Sequence, residues 1–425
     1  MPALTIAVIS DPHFFLKDEK SAEAHSYLPV AADGKIVSHA QGVNKNPVDD
    51  LKALIAEQKL KADVLLCPGD ITTRANATAL RAGWAALVDV ANKLDATLLC
   101  AATGNHDVDS RSQKEQVSKN PIRHLSEMTG PIEALKLLSP LYPACRLDAV
   151  CTVGDRRVMQ GKYFGESFAL LDHDPRYRIL TFNSCADHGH DAHEYERGTA
   201  PESALRWVKE DIAGLTQHPK INLLLAHHPL VSQSAYDGDK YSFQAGGDHL
   251  LQAVEGIGDD WLVINGHKHH GELKHGPSTT GVKITLFSAA SFSVAMQSRL
   301  EGSENQFYLI DLDRDASERL MGSVRAWNWY VGSRWSKAPP RDDTGLFDAC
   351  GFGNDLTPRQ LANELQLRYA AGTKAWADFR AAMPYLAYVL PGTLRKARQL
   401  LQEHHQLIIE TDEHGFYVAI SKEAS

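Results

Sequence analysis

The sequence predicts an α/β fold, layered as α/β or α/β/β, with a small α+β appendage at its C-terminus. Three observations carry this. From the N-terminus to about residue 310, short apolar runs rich in β-formers alternate with helical patterns. A Pro- and charge-rich stretch, SKAPPRDDTG, then separates this rhythm from a tail of different texture. The chain of 425 residues, 43% apolar and 23% charged, is long and apolar enough to bury a core without disulfide or metal staples.

Strands are predicted at Leu4 to Ser10, Asp63 to Cys67, Thr97 to Ala101, Arg178 to Asn183, Ile221 to Ala226, Trp261 to Asn265, Lys283 to Ser288 and Gln306 to Leu312. Between them, Asn46 and Pro47 ahead of VDDLKALIAEQ supply a cap and then a proline at the first helical position. Pro201 to Leu215 and His249 to Glu255 also have helical spacing. Residues 14 to 46 and 109 to 160 show weak periodicity and read as functional loops or lids that shape access. MGSVRAWNWYVGSRW, 321 to 335, alternates aromatic with polar residues and reads as a final hairpin or edge pair. The linker then divides the chain into a main domain, 1–338, and a C-terminal unit, 346–425. In that unit Thr357-Pro358 opens a helix running to about Gly372, and Pro391 opens another through TLRKARQLLQEHH. QLIIET, a DEHG turn and FYVAI then form a hairpin. A winged-helix-like module and a generic α+β interaction unit both match that outline, so the unit is a candidate for oligomer or partner contacts.

Composition excludes several classes. A net charge of −9 and a pI near 6.1 argue against a protein that holds nucleic acid through a broad basic surface, though not against a local basic channel. No run approaches the ~18 apolar residues of a membrane helix, and MPALTIAVISDPH lacks a basic n-region and a cleavable h-region. The expectation is a cytoplasmic protein without membrane contact. The six cysteines are scattered with no CxxC pair, which disfavours a disulfide framework or a cysteine zinc site. Histidine is the unusual count, at 20, with several in tight clusters.

Every strongly polar motif follows a predicted strand, where α/β sheets present their sites. In order these are Asp11-Pro12-His13, Gly69-Asp70, Gly104-Asn105-His106-Asp107, His227-His228-Pro229 and Gly266-His267-Lys268-His269. DxH alone is weak, since it recurs at Asp191/His193 and Asp412/His414. GHxH is a strong signal: with 30 Gly and 20 His, chance supplies about 0.07 copies. Residues i and i+2 of an extended chain leave on one face, so Asp11 with His13, and His267 with His269, can each aim a ligand pair into one cavity. Asp70, Asn105 and His227 arrive from three other strand ends. This mixed N/O set without thiolate suits Mn, Fe, Zn, Co or Ni, with Mn or an Fe/Mn pair favoured, and it exceeds what one tetrahedral ion needs. Two cations ~3.5–4 Å apart would accommodate it.

The five blocks in this order resemble the calcineurin-like metallophosphoesterase family, over about residues 1 to 310. The resemblance implies a four-layer α/β/β/α sandwich with a two-metal catalytic domain at 1–338. It places one metal on Asp11, His13, Asp70 and His269, and the other on Asp70, Asn105, His227 and His267, with Asp70 bridging. It also makes His106 the group that stabilises the transition state or protonates the leaving group; Asp107, its neighbour, is a candidate to orient it, as carboxylates orient imidazoles elsewhere. Hydrolysis would then proceed by attack of a metal-bridging hydroxide, without a protein nucleophile. Protein Ser/Thr phosphatases of the family continue as GDxVDRG and GNHE, whereas this chain reads GDITTR and GNHD. The sequence is more similar to the phosphodiesterase branch, including bacterial cyclic-nucleotide and glycerophosphodiester enzymes.

Three functions follow. The first is a metal-dependent phosphodiesterase acting on a small diester such as a cyclic nucleotide. The second is a nuclease of the same fold, with TLRKARQ as its sole basic feature. The third is a non-catalytic scaffold, disfavoured because all seven ligand positions are intact. Of the remaining polar features, His188, His190 and His193 read as an exposed rim loop, and His228 as a residue behind the ligands. Arg74 is balanced between reaching a phosphate oxygen and lying on the surface, and the AWNWY aromatics read as sheet packing.

Overall fold

Alternate residues of each central strand go to different hydrophobic cores, and that period of two stacks the molecule in layers. The computed structural model describes residues 2–17, 26–37, 46–108, 110, 134–149, 152–188, 197–215, 220–234, 243–295, 304–340 and 345–423. In the strand Leu4–Val8, Ile6 and Val8 join a core shared by two sheets, while Ala7 joins a core under the helices Pro47–Gln58 and Ala77–Lys93. In the second sheet Leu223 and Leu225 join the shared core, whereas Leu224 packs under the helices Glu202–Ala213 and Gly247–Glu255. By these cores the order is helices, sheet, sheet, helices, the arrangement that the family resemblance implies.

The first sheet has eight strands and the second six. At the centre of the first, Leu4–Val8, Val64–Cys67 and Leu98–Ala101 run parallel to one another. At the centre of the second, Tyr177–Phe182, Ile221–Leu225, Trp261–Asn265 and Ile284–Ser288 are likewise parallel. Parallel strands deliver all their C-terminal ends to one edge, which is where the polar motifs begin.

The helix Pro47–Gln58 starts where the sequence predicts, with the Asn46 side chain accepting from the Asp49 N–H. Several segments differ from expectation. The weakly periodic stretch 109 to 160 contains the strand Ala144–Arg146 and the start of the helix Val153–Gly165, closed by a Thr152/Asp155 capping box. That helix fully buries only Tyr163, with Met159 and Phe164 half-buried beside it, so its apolar stripe is short. Much of the two predicted loops lies outside the described residues. The aromatic strand Leu320–Trp329 forms the expected hairpin, with Ser336–Lys337 as its partner at the end of the sheet order. It pairs with Asn305–Arg314 on one side and with Ser336–Lys337 and Cys350–Phe352 on the other. The chain thus re-enters the first sheet beyond the predicted linker, because Phe347, Cys350 and Phe352 have apolar surface to bury there.

The C-terminal unit holds the helices Pro358–Ala370, Trp376–Ala382 and Pro391–His405 and the hairpin Leu407–Thr411/Tyr417–Lys422. The short 3-10 turn Pro384–Tyr388 and the residue after it stitch the unit to the main sheet: Gly351 N–H donates to Val389 O at 3.2 Å and Asn354 N–H to Tyr388 O at 3.0 Å. Among the described residues no helix is long and apolar enough to cross a membrane.

Candidate metal centre

All seven predicted ligand residues leave strand ends on the shared edge. Asp11 and His13 follow Leu4–Val8, Asp70 follows Val64–Cys67, and Asn105 follows Leu98–Ala101. His227 follows Ile221–Leu225, and His267 and His269 follow Trp261–Asn265. The sheets are tied at this point by the His267 N–H, which donates to both Asp11 carboxylate oxygens at 3.1 and 3.2 Å. Five of the seven, Asp11, His13, Asp70, His267 and His269, have φ between 50° and 74°. Left-handed backbone costs a non-glycine residue of order 1 kcal/mol or more and persists where the surroundings over-determine it. Such turns bend the chain sharply enough to bring i and i+2 into one cavity.

On one side, Asp11, His13, Asp70 and His269 offer ligand atoms that all lie within 4.8 Å of one another. His13 Nε2 is 3.2 Å from His269 Nε2 and 3.6 Å from Asp70 Oδ2. On the other, His227 Nε2 lies 2.8 Å from Asn105 Oδ1, 3.2 Å from His267 Nδ1 and 3.4 Å from Asp70 Oδ2. The same Asp70 oxygen therefore faces both groups, while Asp70 Oδ1 accepts from the His106 N–H at 2.7 Å. His227 Nδ1 donates to Pro68 O at 2.9 Å, which directs its lone pair at Nε2. Converging lone pairs and carboxylates repel one another unless cations lie between them. The donor set thus fits a pair of borderline cations.

Glycines make the approach possible. A Cβ on Gly104 would strike the Asp70 carboxylate, and one on Gly266 would strike Ser10 Oγ and the Asp11 carboxylate. Gly69, at φ +108°, sits where a Cβ would lie 2.9 Å from His227 Nδ1. The glycines of GD, GNHD and GHxH are therefore part of the site's geometry.

Electrostatics agree with a ligand role. Asp11 is fully buried, which opposes ionisation, yet the hydrogen bond and charge of His269, the charge of His227 and the Ser10 hydroxyl hold its carboxyl below the ordinary value. Burial pulls His227 down to about 4, so it stays neutral and keeps its lone pair at neutral pH. Burial pushes Asp107 up to about 7, against the pull of backbone N–H donors.

His106 lies beside the cluster, its ring centroid 5.0 Å from that of His13. Asp107 is engaged elsewhere than the sequence suggests. Its carboxylate accepts from the Thr72 and Gly104 N–H groups at 2.9 Å each, bracing the loops that carry Asp70 and Asn105 rather than the His106 ring.

His188 corrects the sequence reading: it is fully buried, not on an exposed rim, because its Nδ1 packs 2.8 Å from Ser110 Oγ, which in turn donates to the Asn105 carbonyl at 2.7 Å. His190 and His193 lie outside the described residues. His228 is fully buried, its ring centroid 4.4 Å from that of His267. Cys185 joins these two histidines, and nothing in its sequence context marked it. His249 is solvent-exposed, and Trp327 and Trp329 are buried, the latter donating to Asp50 at 3.0 Å.

The calcineurin-like phosphoesterase profile matches residues 4–271. The chain is structurally similar to a dimetal phosphatase from Danio rerio, at 10% identity, TM-score 0.43, covering 79% of this chain and 98% of that one. It is similar to a purple acid phosphatase from yellow lupin seeds, at 12% identity and TM-score 0.43, covering 76% of this chain and 52% of the other. A Haemophilus influenzae NAD nucleotidase gives 11% identity and TM-score 0.36, over 78% and 53%. This chain thus spans about half the length of the lupin and Haemophilus proteins. No curated protein sequence matches it. The profile match covers well over half of the chain and contains all five strand-end motifs, and on that ground the chain belongs to the calcineurin-like phosphoesterase family.

Proposed function

We propose that this protein is a metal-dependent phosphodiesterase that hydrolyses a small diester such as a cyclic nucleotide. The observation that carries the reading is Asp70 Oδ2, 3.6 Å from His13 Nε2 and 3.4 Å from His227 Nε2, between two groups of converging lone pairs. Asp11, His13, Asp70 and His269 would hold one cation, and Asp70, Asn105, His227 and His267 the other. Mn or an Fe/Mn pair is our assignment from the N/O donor set. When bound, such a pair supplies Lewis acidity toward phosphoryl oxygens and toward water.

The chain's own residues do the rest. We assign His106 to protonate the leaving oxygen, and Asp107 to hold the loops beneath Asp70 and Asn105 as a positioning residue. Diester preference is supported by GDITTR and GNHD standing where protein phosphatases of the family carry GDxVDRG and GNHE. We place the protein in the cytoplasm, a reading with which the free state of the five described cysteines agrees. The second reading, a nuclease, draws on one observation. The helix Pro391–His405 packs against the strand Glu272–His275, bringing the charge of Arg395 to bear on His270, next to the ligand His269.

The test is turnover of bis-p-nitrophenyl phosphate against p-nitrophenyl phosphate, on metal-stripped protein reconstituted with Mn, with Asn105→Ala and His106→Ala in parallel. Diester hydrolysis that returns with Mn and falls by at least ~100-fold in both variants is expected. Turnover of the monoester alone would overturn the diesterase reading. Degradation of DNA or RNA that weakens steeply with salt would favour the nuclease.

A further inference from the structure

Behind His227 and Asn105 lies a second group of ligand-type side chains that the two-cation cluster does not use. Cys185 Sγ and one ring nitrogen each of His188 and His228 lie within 4.8 Å of one another, and all three residues are buried. Sγ is 3.9 Å from the nearer ring nitrogen of His228, Nδ1.

Proton accounting fixes what the pocket presents. The Ser110 hydroxyl has one proton and gives it to the Asn105 carbonyl, so it accepts from His188 Nδ1–H. Neutral His188 therefore carries its lone pair on Nε2, and that buried nitrogen has no hydrogen-bond partner. His228 Nε2 is also buried and unpartnered, while its Nδ1 lies 2.8 Å from Ser184 Oγ, a rotatable hydroxyl that can accept from it. Unmade hydrogen bonds on two buried imidazoles are costly, and a cation that takes both lone pairs removes that cost. The thiol donates to Thr103 O at 3.2 Å. Gly198 completes the pocket, since a Cβ there would strike the His228 ring.

We infer that Cys185, His188 and His228 form a third cation site, of thiolate–imidazole type, flanking the two-cation cluster. Its chemistry selects zinc, cobalt(II) or another borderline-soft ion over Mn or Mg. Binding displaces the thiol proton to solvent, gives the thiolate to the ion, and takes up the two orphan imidazole lone pairs. His228 is the shared wall, since it also lies within 4.8 Å of the ligand atoms of His227 and His267. An ion there would fix the back of the ligand set rather than meet substrate, because its ligands are closed to solvent.

The experiment loads metal-stripped full-length protein with cobalt(II), removes unbound ion, and reads cobalt per chain together with thiolate-to-cobalt charge-transfer absorption. The expected result is three ions per chain with the charge-transfer band in the wild type. His188→Gln and Cys185→Ser should each give two ions and lose the band. Asp70→Ala should lose the two-cation cluster yet keep one ion and the band, which separates this inference from the phosphodiesterase reading. Two ions without the band in the wild type would overturn it, as would three ions without the band. Both wild-type outcomes stand even if a variant fails to fold, and neither depends on turnover.

Discussion

His227 Nδ1 lies 2.9 Å from the carbonyl oxygen of Pro68, and this bond decides which end of the ring faces the cluster. Because Nδ1 carries the proton, Nε2 turns its lone pair toward Asn105 Oδ1 and Asp70 Oδ2. Metal-free protein holds these acceptors together against their repulsion. Adding Mn should therefore raise the melting temperature, by an amount equivalent to about 2.7 kcal/mol at 100-fold excess over Kd. Asp70→Ala should lose most of that increment in thermal-shift measurements. An unchanged increment would remove Asp70 from the metal set.

Gly104 and Gly266 give the sharpest single-residue test of the site's geometry. Gly104→Ala puts a methyl group into the Asp70 carboxylate, and Gly266→Ala puts one into that of Asp11. Each variant should keep the wild-type circular dichroism spectrum and bind less than one Mn per chain by elemental analysis. Full occupancy with normal activity would show that the carboxylates can shift at little cost.

His188 supplies a pH signature in the metal-free protein. Burial lowers its pKa from 6.5 to about 3, so folding is favoured above pH 6.5 and that advantage is lost as pH falls toward 3. Between pH 7 and 4.5 the loss amounts to about 2–3 kcal/mol. Urea titrations at the two values should show His188→Gln losing less stability than wild type by about that margin. Equal losses would mean that His188 is not held neutral.

Asn46 caps the helix Pro47–Gln58 by accepting from Asp49 N–H at 2.9 Å. Asn46→Ala should cost about 1 kcal/mol in urea unfolding, without changing metal content. A change below ~0.3 kcal/mol would mean that proline at the first position starts the helix alone.

Truncation probes where the main unit ends. A chain stopped at Ala338 lacks Leu346, Phe347, Cys350 and Phe352, all buried in the core between the sheets. It should aggregate or bind the dye ANS strongly, in contrast to full-length protein. A monomeric, compact fragment by size-exclusion chromatography would show that the sheet closes without them.

The sequence reports strand positions to within one or two residues wherever a run is buried on both faces, as at Trp261–Asn265, because such runs are uniformly apolar. It also points to the seven residues that the structure gathers at the shared edge, since polar motifs at strand ends can be read without tertiary knowledge. It is silent on the helix Val153–Gly165, which fully buries only Tyr163 and lays Met159 and Phe164 half-buried against the core. It misplaces His188, because burial of a histidine in a polar loop depends on Ser110, a residue 78 positions away. It cannot show that Asp107 turns to the backbone of Thr72, since a side chain's direction in a turn is set by neighbours from other strands. The return of Cys350–Phe352 to the first sheet is hidden by brevity: three residues carry no period.

The bond from His267 N–H to the Asp11 carboxylate joins positions separated by 256 residues, and four of the other five candidate ligands lie between them. No partial product of folding can present this ligand set: the loop linking its two ends closes only when the second sheet docks on the first. A nascent chain still emerging from the ribosome therefore has no high-affinity pocket with which to capture a stray ion. On the two-cation reading, metal choice is deferred until the second sheet has docked, and is then made from whatever pool the folded protein meets.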